Sequence, residues 1–451
     1  MIRSICELVS PEDVGISLPH EQILHNIGSI VSSSKTNRDL KIRFEDLIDY
    51  RRAPFAHGGR NLLLQNEDEA FRELEKLQQL KDNKQKPLIV DVTLPIDGRD
   101  VLVKERLHLA ERLKDLNLVT VTTFELEKID DDFCIGLSPT ETSERIHKIL
   151  ETELMFGMER GGVVAFPGAM YQQVHANSKA LSPKELILVQ GLALTQARTH
   201  CPLYLSITFD ESCRKLHEEI SGLDHVVRAW IRALLDAGAE RKKLVVCHAD
   251  RWCHGRFEET GYAFLLELFD LGVSVLFDMV GLLAVSEIMV INPNFTRTML
   301  SSGKLLESET EEPASESRLV ERIVKLLRHK PQYLFQMLLS TNVYQRTQYR
   351  CYGGGGYAYL FEHFTHRILR EGVTATQWNQ IVRTNVVDLL AWYVSPEEPP
   401  IPKNYQKCSI CSNFFEPIEG EYFTKFAFIY CGTKCLRRHS RQKFASLPTK
   451  T

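Results

Sequence analysis

Residues 87–124, PLIVDVTLPIDGRDVLVKERLHLAERLKDLNLVTVTTF, hold the fold in miniature. Pro87 to Thr93 is apolar and rich in β-branched side chains, the composition of a strand buried on both faces. Arg99 to Leu116 then spaces its leucines at helical intervals, and Leu118 to Phe124 returns to strand-type residues. A strand, a helix and a second strand in this order predict parallel strands joined by a crossover helix.

Outward from this unit the alternation continues. Ser138-Pro139-Thr140-Glu141 and Ser182-Pro183-Lys184-Glu185 each place a capping serine, a proline and a glutamate where a helix starts. The second helix is expected to run to His200. Gly162–Phe166, Pro202–Ile207, Leu244–Cys247 and Val273–Phe277 read as further strands. Tyr333–Ser340 supplies an eighth, with a first near Ile16–His20. Eight strand–helix units predict an α/β chain closed into a (β/α)8 TIM barrel.

Two segments interrupt the rhythm. Residues 305–317 are acidic, polar and free of aromatics, the composition of a loop insertion. Residues 395–402 are proline-rich and stiff. The expected organisation is a barrel over 1–396, a linker over 397–404 and a small module over 405–451.

The bulk properties exclude several function classes. With 43% hydrophobic and 25% charged residues, the 451-residue chain has ordinary globular composition. A formal net charge of -4 gives no general attraction to nucleic acid or anionic membrane. The first residues lack the apolar run of a secretory signal. The most hydrophobic stretch, 263–285, carries Glu267, Asp270 and Asp278, which argues against a membrane span. Eleven cysteines, several of them isolated, fit a reducing compartment, so a cytoplasmic or nuclear location is expected.

Four motifs, in order, carry a family resemblance. They are Leu18-Pro19-His20-Glu21; Val90 to Thr93 with Ile96 to Asp100; Val246-Cys247-His248-Ala249-Asp250-Arg251; and Tyr352 to Tyr357 with Arg370 to Val373. Together they resemble the phosphotriesterase family of the amidohydrolase superfamily, in particular its phosphotriesterase-related branch. The resemblance implies two divalent metals at the C-terminal rim of the barrel. Four histidines, an aspartate and a bridging acidic group hold them, and the pair activates a water for hydrolysis of esters or amides.

Carried over residue by residue, the implied ligand set is degenerate. His20 matches the first histidine, but Gln22 stands where the second belongs. The bridging position on the fourth strand falls at Ala165 or Phe166, neither of which can ligate. Ser206 replaces the fifth-strand histidine, His248 matches on the sixth strand, and Asn342 occupies the aspartate position on the eighth. Zinc normally takes three or four protein ligands. His20 and His248 alone therefore imply weak metal binding, or none, and a hydrogen-bonding role at the rim. A rearranged site would recruit Asp250, Asp278, His254 or Asn342. Cys247 lies in a strand run as core, and neither Cys253 nor Cys351 has an identifiable base. Gly353 to Gly356 reads as a permissive loop, because no phosphate-binding lysine or helix start accompanies it.

Near the C-terminus, Cys408-Ser409-Ile410-Cys411 and Cys431-Gly432-Thr433-Lys434-Cys435 form a separate constellation. The first pair has knuckle spacing. The second puts both thiols on one metal if Cys435 lies in a helix's first turn, and His439 stands four residues on as a substitute ligand. The aromatic residues between predict a hairpin, so the layout is a treble-clef-like module with structural zinc. A segment this poor in aliphatics needs such a staple. Residues 435–443 form a basic helix in an acidic chain. A protein partner is the expected use, with nucleic acid the weaker alternative and a small-molecule ligand reserved for the barrel rim. The sequence thus favours a catalytically degenerate binding or scaffold protein over a hydrolase with a reduced metal site.

Overall fold

The computed structural model describes residues 1–27, 42–52, 58–176, 178, 180–209, 221–253, 258–281, 316–394, 406–411, 414–418, 420, 422–425 and 428–441. The chain divides into two compact units, Met1–Tyr393 and Val394–Thr451. The expected linker at 397–404 lies outside the described residues. So does the acidic insertion up to 315, and the expected end at 317 is corrected, because Glu316 and Ser317 already belong to a helix.

The large unit is built on eight parallel strands in sequential order. We label them β1 (Val14–Glu21), β2 (Lys86–Asp91), β3 (Asn117–Thr122), β4 (Pro167–Ala176), β5 (Leu203–Phe209), β6 (Leu244–Val246), β7 (Ser274–Phe277) and β8 (Met337–Leu339). Helices lie between them and form the outer layer. Both expected capping boxes form: Ser138 and Ser182 each accept from the backbone of the glutamate three residues on, and that carboxylate returns to the serine's own N–H.

One strand is not where its sequence pattern put it. The run 162–166 contributes Val163–Ala165 to a small antiparallel hairpin with Met158–Arg160. The fourth barrel strand follows it. Proline is tolerated as the first residue of a strand. Gly168 is required beside it, since a Cβ there would sit 2.3 Å from the carbonyl oxygen of Arg3. The eighth strand is also shorter than expected, because Pro331–Gln336 forms a 3-10 turn before it.

Apolar side chains divide into two layers. Val14, Leu88, Val90, Val119, Val121, Ala169, Tyr171, Tyr204, Val245, Cys247, Leu276 and Leu338 fill the barrel interior. A larger cluster packs the strands' outer faces against the helices. The N-terminal end is plugged by the hairpin Ile2–Arg3/Leu8–Val9 and by Val386 to Leu390. The Arg3 guanidinium lies over the rings of Phe166 and Tyr393. Functional groups therefore have the opposite, C-terminal end, as in other barrels of this type.

Between β1 and β8 a side chain bridges the strands. Glu21 is fully buried, and Oε1 accepts from Ser340 Oγ, Thr341 N and Thr341 Oγ1, each at 2.7 Å. Its Oε2 accepts from Val343 N at 2.7 Å. Burial pushes the carboxyl up to about 7, against the pull of these donors. In Glu21→Gln the side-chain NH2 would face a backbone N–H that has no other partner among the described residues. Leaving a buried donor unpaired costs about 1–3 kcal/mol. Denaturant titration should show a loss of that size; unchanged stability would mean that Glu21 does not close the barrel.

Candidate functional site

At the C-terminal end of the strands five buried side chains form one cluster. Ser206, on β5, donates from Oγ to Nε2 of His248 at 2.9 Å. His248, just after β6, donates from Nδ1 to Asp278 Oδ1 at 3.1 Å, and its backbone N–H reaches Asp278 Oδ2 at 3.1 Å. Asp278, just after β7, also faces Nδ1 of His20 at 3.7 Å. Tyr171, on β4, donates from its hydroxyl to Nε2 of His20 at 3.2 Å.

The backbone shapes this cluster. His248 has a left-handed φ of 59°, which turns the chain sharply at the strand end. Arg251 ties that turn down by donating to the carbonyls of His248 (2.8 Å), Ile207 (2.9 Å) and Cys247 (3.2 Å). Burial pulls the Arg251 guanidinium down to about 10, so it remains charged at neutral pH.

Charge is concentrated on one carboxylate. Burial alone would raise Asp278, but the imidazoles of His248 and His20 hold it below its ordinary value. Burial lowers His20 to about 4, so its ring is neutral at physiological pH. Asp250 behaves oppositely. Burial and the neighbouring Asp278 charge push it well up, and its Oδ2 accepts from Asp278 N at 2.7 Å. The site therefore carries the Asp278 carboxylate, the neutral His20 ring, the His248 imidazole and two hydroxyls, with Arg251 behind it.

The other sequence-selected positions are spread around the same end, apart from two. Gln22 is buried, and Asn342 is fully buried at a left-handed φ of 45°; neither Asn342 side-chain polar atom has a partner among the described residues. Ala165 and Phe166 are the correction. Ala165 pairs with Met158 in the hairpin, and Phe166 N donates to Ile5 O, at the plugged end of the barrel. A bridging ligand at the rim cannot come from there. On the true fourth strand Gln173 pairs with Ser206 in register, and Tyr171 pairs with Tyr204. Tyr171 was missed because the misplaced strand ended before it. His254 lies outside the described residues. Cys247 is fully buried in the barrel interior, and Gly354 packs so closely that a Cβ would lie 2.1 Å from Gln348 O.

These donors fall short of what two dications need. Both His248 nitrogens are already engaged, His20 Nε2 accepts from Tyr171, and the in-register residue on β4 is an amide. His20, Cys247 and Asp278 do bring one donor atom each within 4.8 Å of one another, a set suited to at most a single ion.

The C-terminal unit presents a different centre. Gln406–Lys407 pairs with Phe414–Phe415, Phe423–Lys425 pairs with Phe428–Tyr430, and a helix spans Thr433–Arg441. Cys408, Cys411, Cys431 and Cys435 lie with their thiols within 4.8 Å of one another, Cys411–Cys431 at 3.6 Å and Cys431–Cys435 at 3.7 Å. This four-thiol set fits zinc. Burial would raise the Cys408 thiol, but backbone N–H groups of Cys411, Cys431 and Ile410 bring it down to about 6, ready to ligate. Cys435 falls in the helix's first turn, as its spacing requires. His439 is packed away, its Nδ1 against the Tyr430 hydroxyl at 2.9 Å and its ring edge-on to Phe428.

Comparison with known proteins agrees with both units. The profile of the phosphotriesterase family matches residues 2–390. That of the Vms1-associating treble clef domain matches residues 403–447. A phosphotriesterase-related protein from Nematostella vectensis is 24% identical over 400 residues, 85% of this chain and 97% of its own. An N-acetyltaurine hydrolase from Dictyostelium discoideum is 24% identical over 334 residues, covering 73% and 75%. Among solved structures, a resiniferatoxin-binding protein from Rhodobacter sphaeroides superposes with a TM-score of 0.62 at 20% identity, covering 86% and 94%. A lactonase from Listeria monocytogenes superposes at 0.56 with 16% identity, covering 87% and 99%. At such identities the superpositions establish the fold. Among the described residues no helix is long and apolar enough to cross a membrane.

Proposed function

The chain belongs to the phosphotriesterase family, and from that premise we propose that it is a degenerate member which binds rather than hydrolyses through paired metals. The reading is carried by the cluster of His20, Tyr171, Ser206, His248 and Asp278. Both imidazoles that match the family's ligand positions are committed to protein partners there. The treble clef supplies the binding function. Its described name points to protein association, and a four-cysteine zinc site holds such a module in shape. In this reading the zinc module docks a protein partner in a reducing compartment, and the barrel rim is left as a concave surface for a ligand.

A second reading rests on the proximity of His20, Cys247 and Asp278, which would hold one ion for a reduced hydrolase. Metal content separates the two. Protein purified without added metal should carry about one zinc per chain, and Cys408→Ser/Cys411→Ser should carry close to none. One firmly held ion in that double variant would favour the single-metal hydrolase. Two would overturn the degenerate reading altogether.

A further inference from the structure

We propose that Ser206, His248 and Asp278 form a metal-independent acyl-transfer relay, with Ser206 as nucleophile toward small, activated carboxylic esters. The inference goes beyond the binding role, and it rests on where the family's ligand positions now point.

A serine, a histidine and an aspartate are recognised as a relay by geometry, whatever the fold or chain order. Here the serine Oγ lies 2.9 Å from His248 Nε2, and His248 Nδ1 lies 3.1 Å from Asp278 Oδ1. Both distances are those of a nucleophile–base and a base–orienter pair. The aspartate accepts from both the ring and the backbone N–H of His248, which fixes the Nδ1–H tautomer and leaves Nε2 free to accept a proton. Three consecutive strands, β5, β6 and β7, supply the three groups, so rigid elements hold the alignment.

The chemistry balances without a metal. Ser206 Oγ bonds to the acyl carbon as its proton passes to His248 Nε2. The ester C–O bond then breaks, and the leaving alcohol takes that proton. A water attacks the acyl-serine, giving its proton to His248, and Ser206 departs with it as the free acid forms.

The probe is methanesulfonyl fluoride on the full-length protein, read by intact mass and peptide mapping. The expected result is one adduct per chain at Ser206, with fluoride released and with chelator making no difference. Ser206→Ala should abolish the adduct while leaving the melting transition in place. His248→Gln and Asp278→Asn should each slow it by about 10²-fold or more, the scale of general-base catalysis. Ser206→Cys, which keeps the side chain's shape, should move reactivity to iodoacetamide and guards against misreading a folding defect. No adduct on folded wild type after prolonged exposure would overturn the relay. So would equal labelling of wild type and Ser206→Ala, or labelling lost on adding chelator.

Discussion

Arg106→Leu is expected to destabilise the barrel by about 3–5 kcal/mol, the cost of stranding a buried charge after its partner is removed. Arg106 and Asp91 are both essentially inaccessible, and the guanidinium Nε donates to Asp91 Oδ2 at 2.6 Å. The same guanidinium donates to the carbonyls of Arg99, at 3.1 Å, and Leu24. Asp91 Oδ1 in turn accepts from Thr93 N at 3.1 Å and from Ile23 N at 3.4 Å. The pair thus joins the end of β2 and a helical arginine to the chain that leaves β1 just after His20. Asp91→Asn/Arg106→Leu should recover part of the loss, because no unpaired charge remains. Chemical unfolding of the single and double variants measures both terms. A loss below about 1 kcal/mol for Arg106→Leu would show that water reaches Asp91, against its burial.

The physical reasons for what the sequence conveyed, and what it did not, lie in particular residues. Residues 87–124 were readable because a strand buried on both faces must be apolar throughout, and the helix between must show one apolar stripe. The fourth strand was unreadable for the converse reason. Its upper half is Tyr171-Gln172-Gln173-Val174-His175, since positions near the rim face a polar interior, while the neighbouring hairpin at 158–165 carries the more strand-like Val163-Val164. That error placed the bridging ligand at Ala165 or Phe166 and concealed Tyr171. Ser206 was seen only as a missing histidine, because spacing reveals which type stands at a position and not what it touches. Asp278 sat in a hydrophobic stretch as one recruit among several. One imidazole neighbour, His248, follows the preceding strand, but the other, His20, comes from the first strand, and only the folded barrel brings it to Asp278. The cysteines were the most readable, because a tetrathiolate site is built from two local turns.

Stripping zinc from the C-terminal unit should abolish its folded structure between residues 406 and 441. Among the described residues there, few side chains are fully buried: Tyr430 and His439 are, and Cys408 nearly so. A core this small cannot offset the conformational entropy of the residues it orders. Binding free energies of structural zinc reach about 10–16 kcal/mol in finger-sized peptides, more than enough to supply the difference. Two hydrogen bonds report on the outcome. Ser409 N donates to Ile429 O at 2.7 Å, and Ile429 N returns to Ser409 Oγ at 2.9 Å, lacing the knuckle onto the second hairpin. With zinc bound, both amides should resist hydrogen exchange. A strong chelator, or Cys411→Ser, should bring them to the exchange rate of an unfolded chain, a change of about 10³-fold or more for a site of this affinity. The helix Thr433–Arg441 should lose its signal together with them, since Cys435 in its first turn is its tie to the metal. Protection that survived chelation at Ser409 and Ile429 would mean that aromatic packing of Phe428 and Tyr430 on His439 suffices, and that the four thiols are dispensable for the fold.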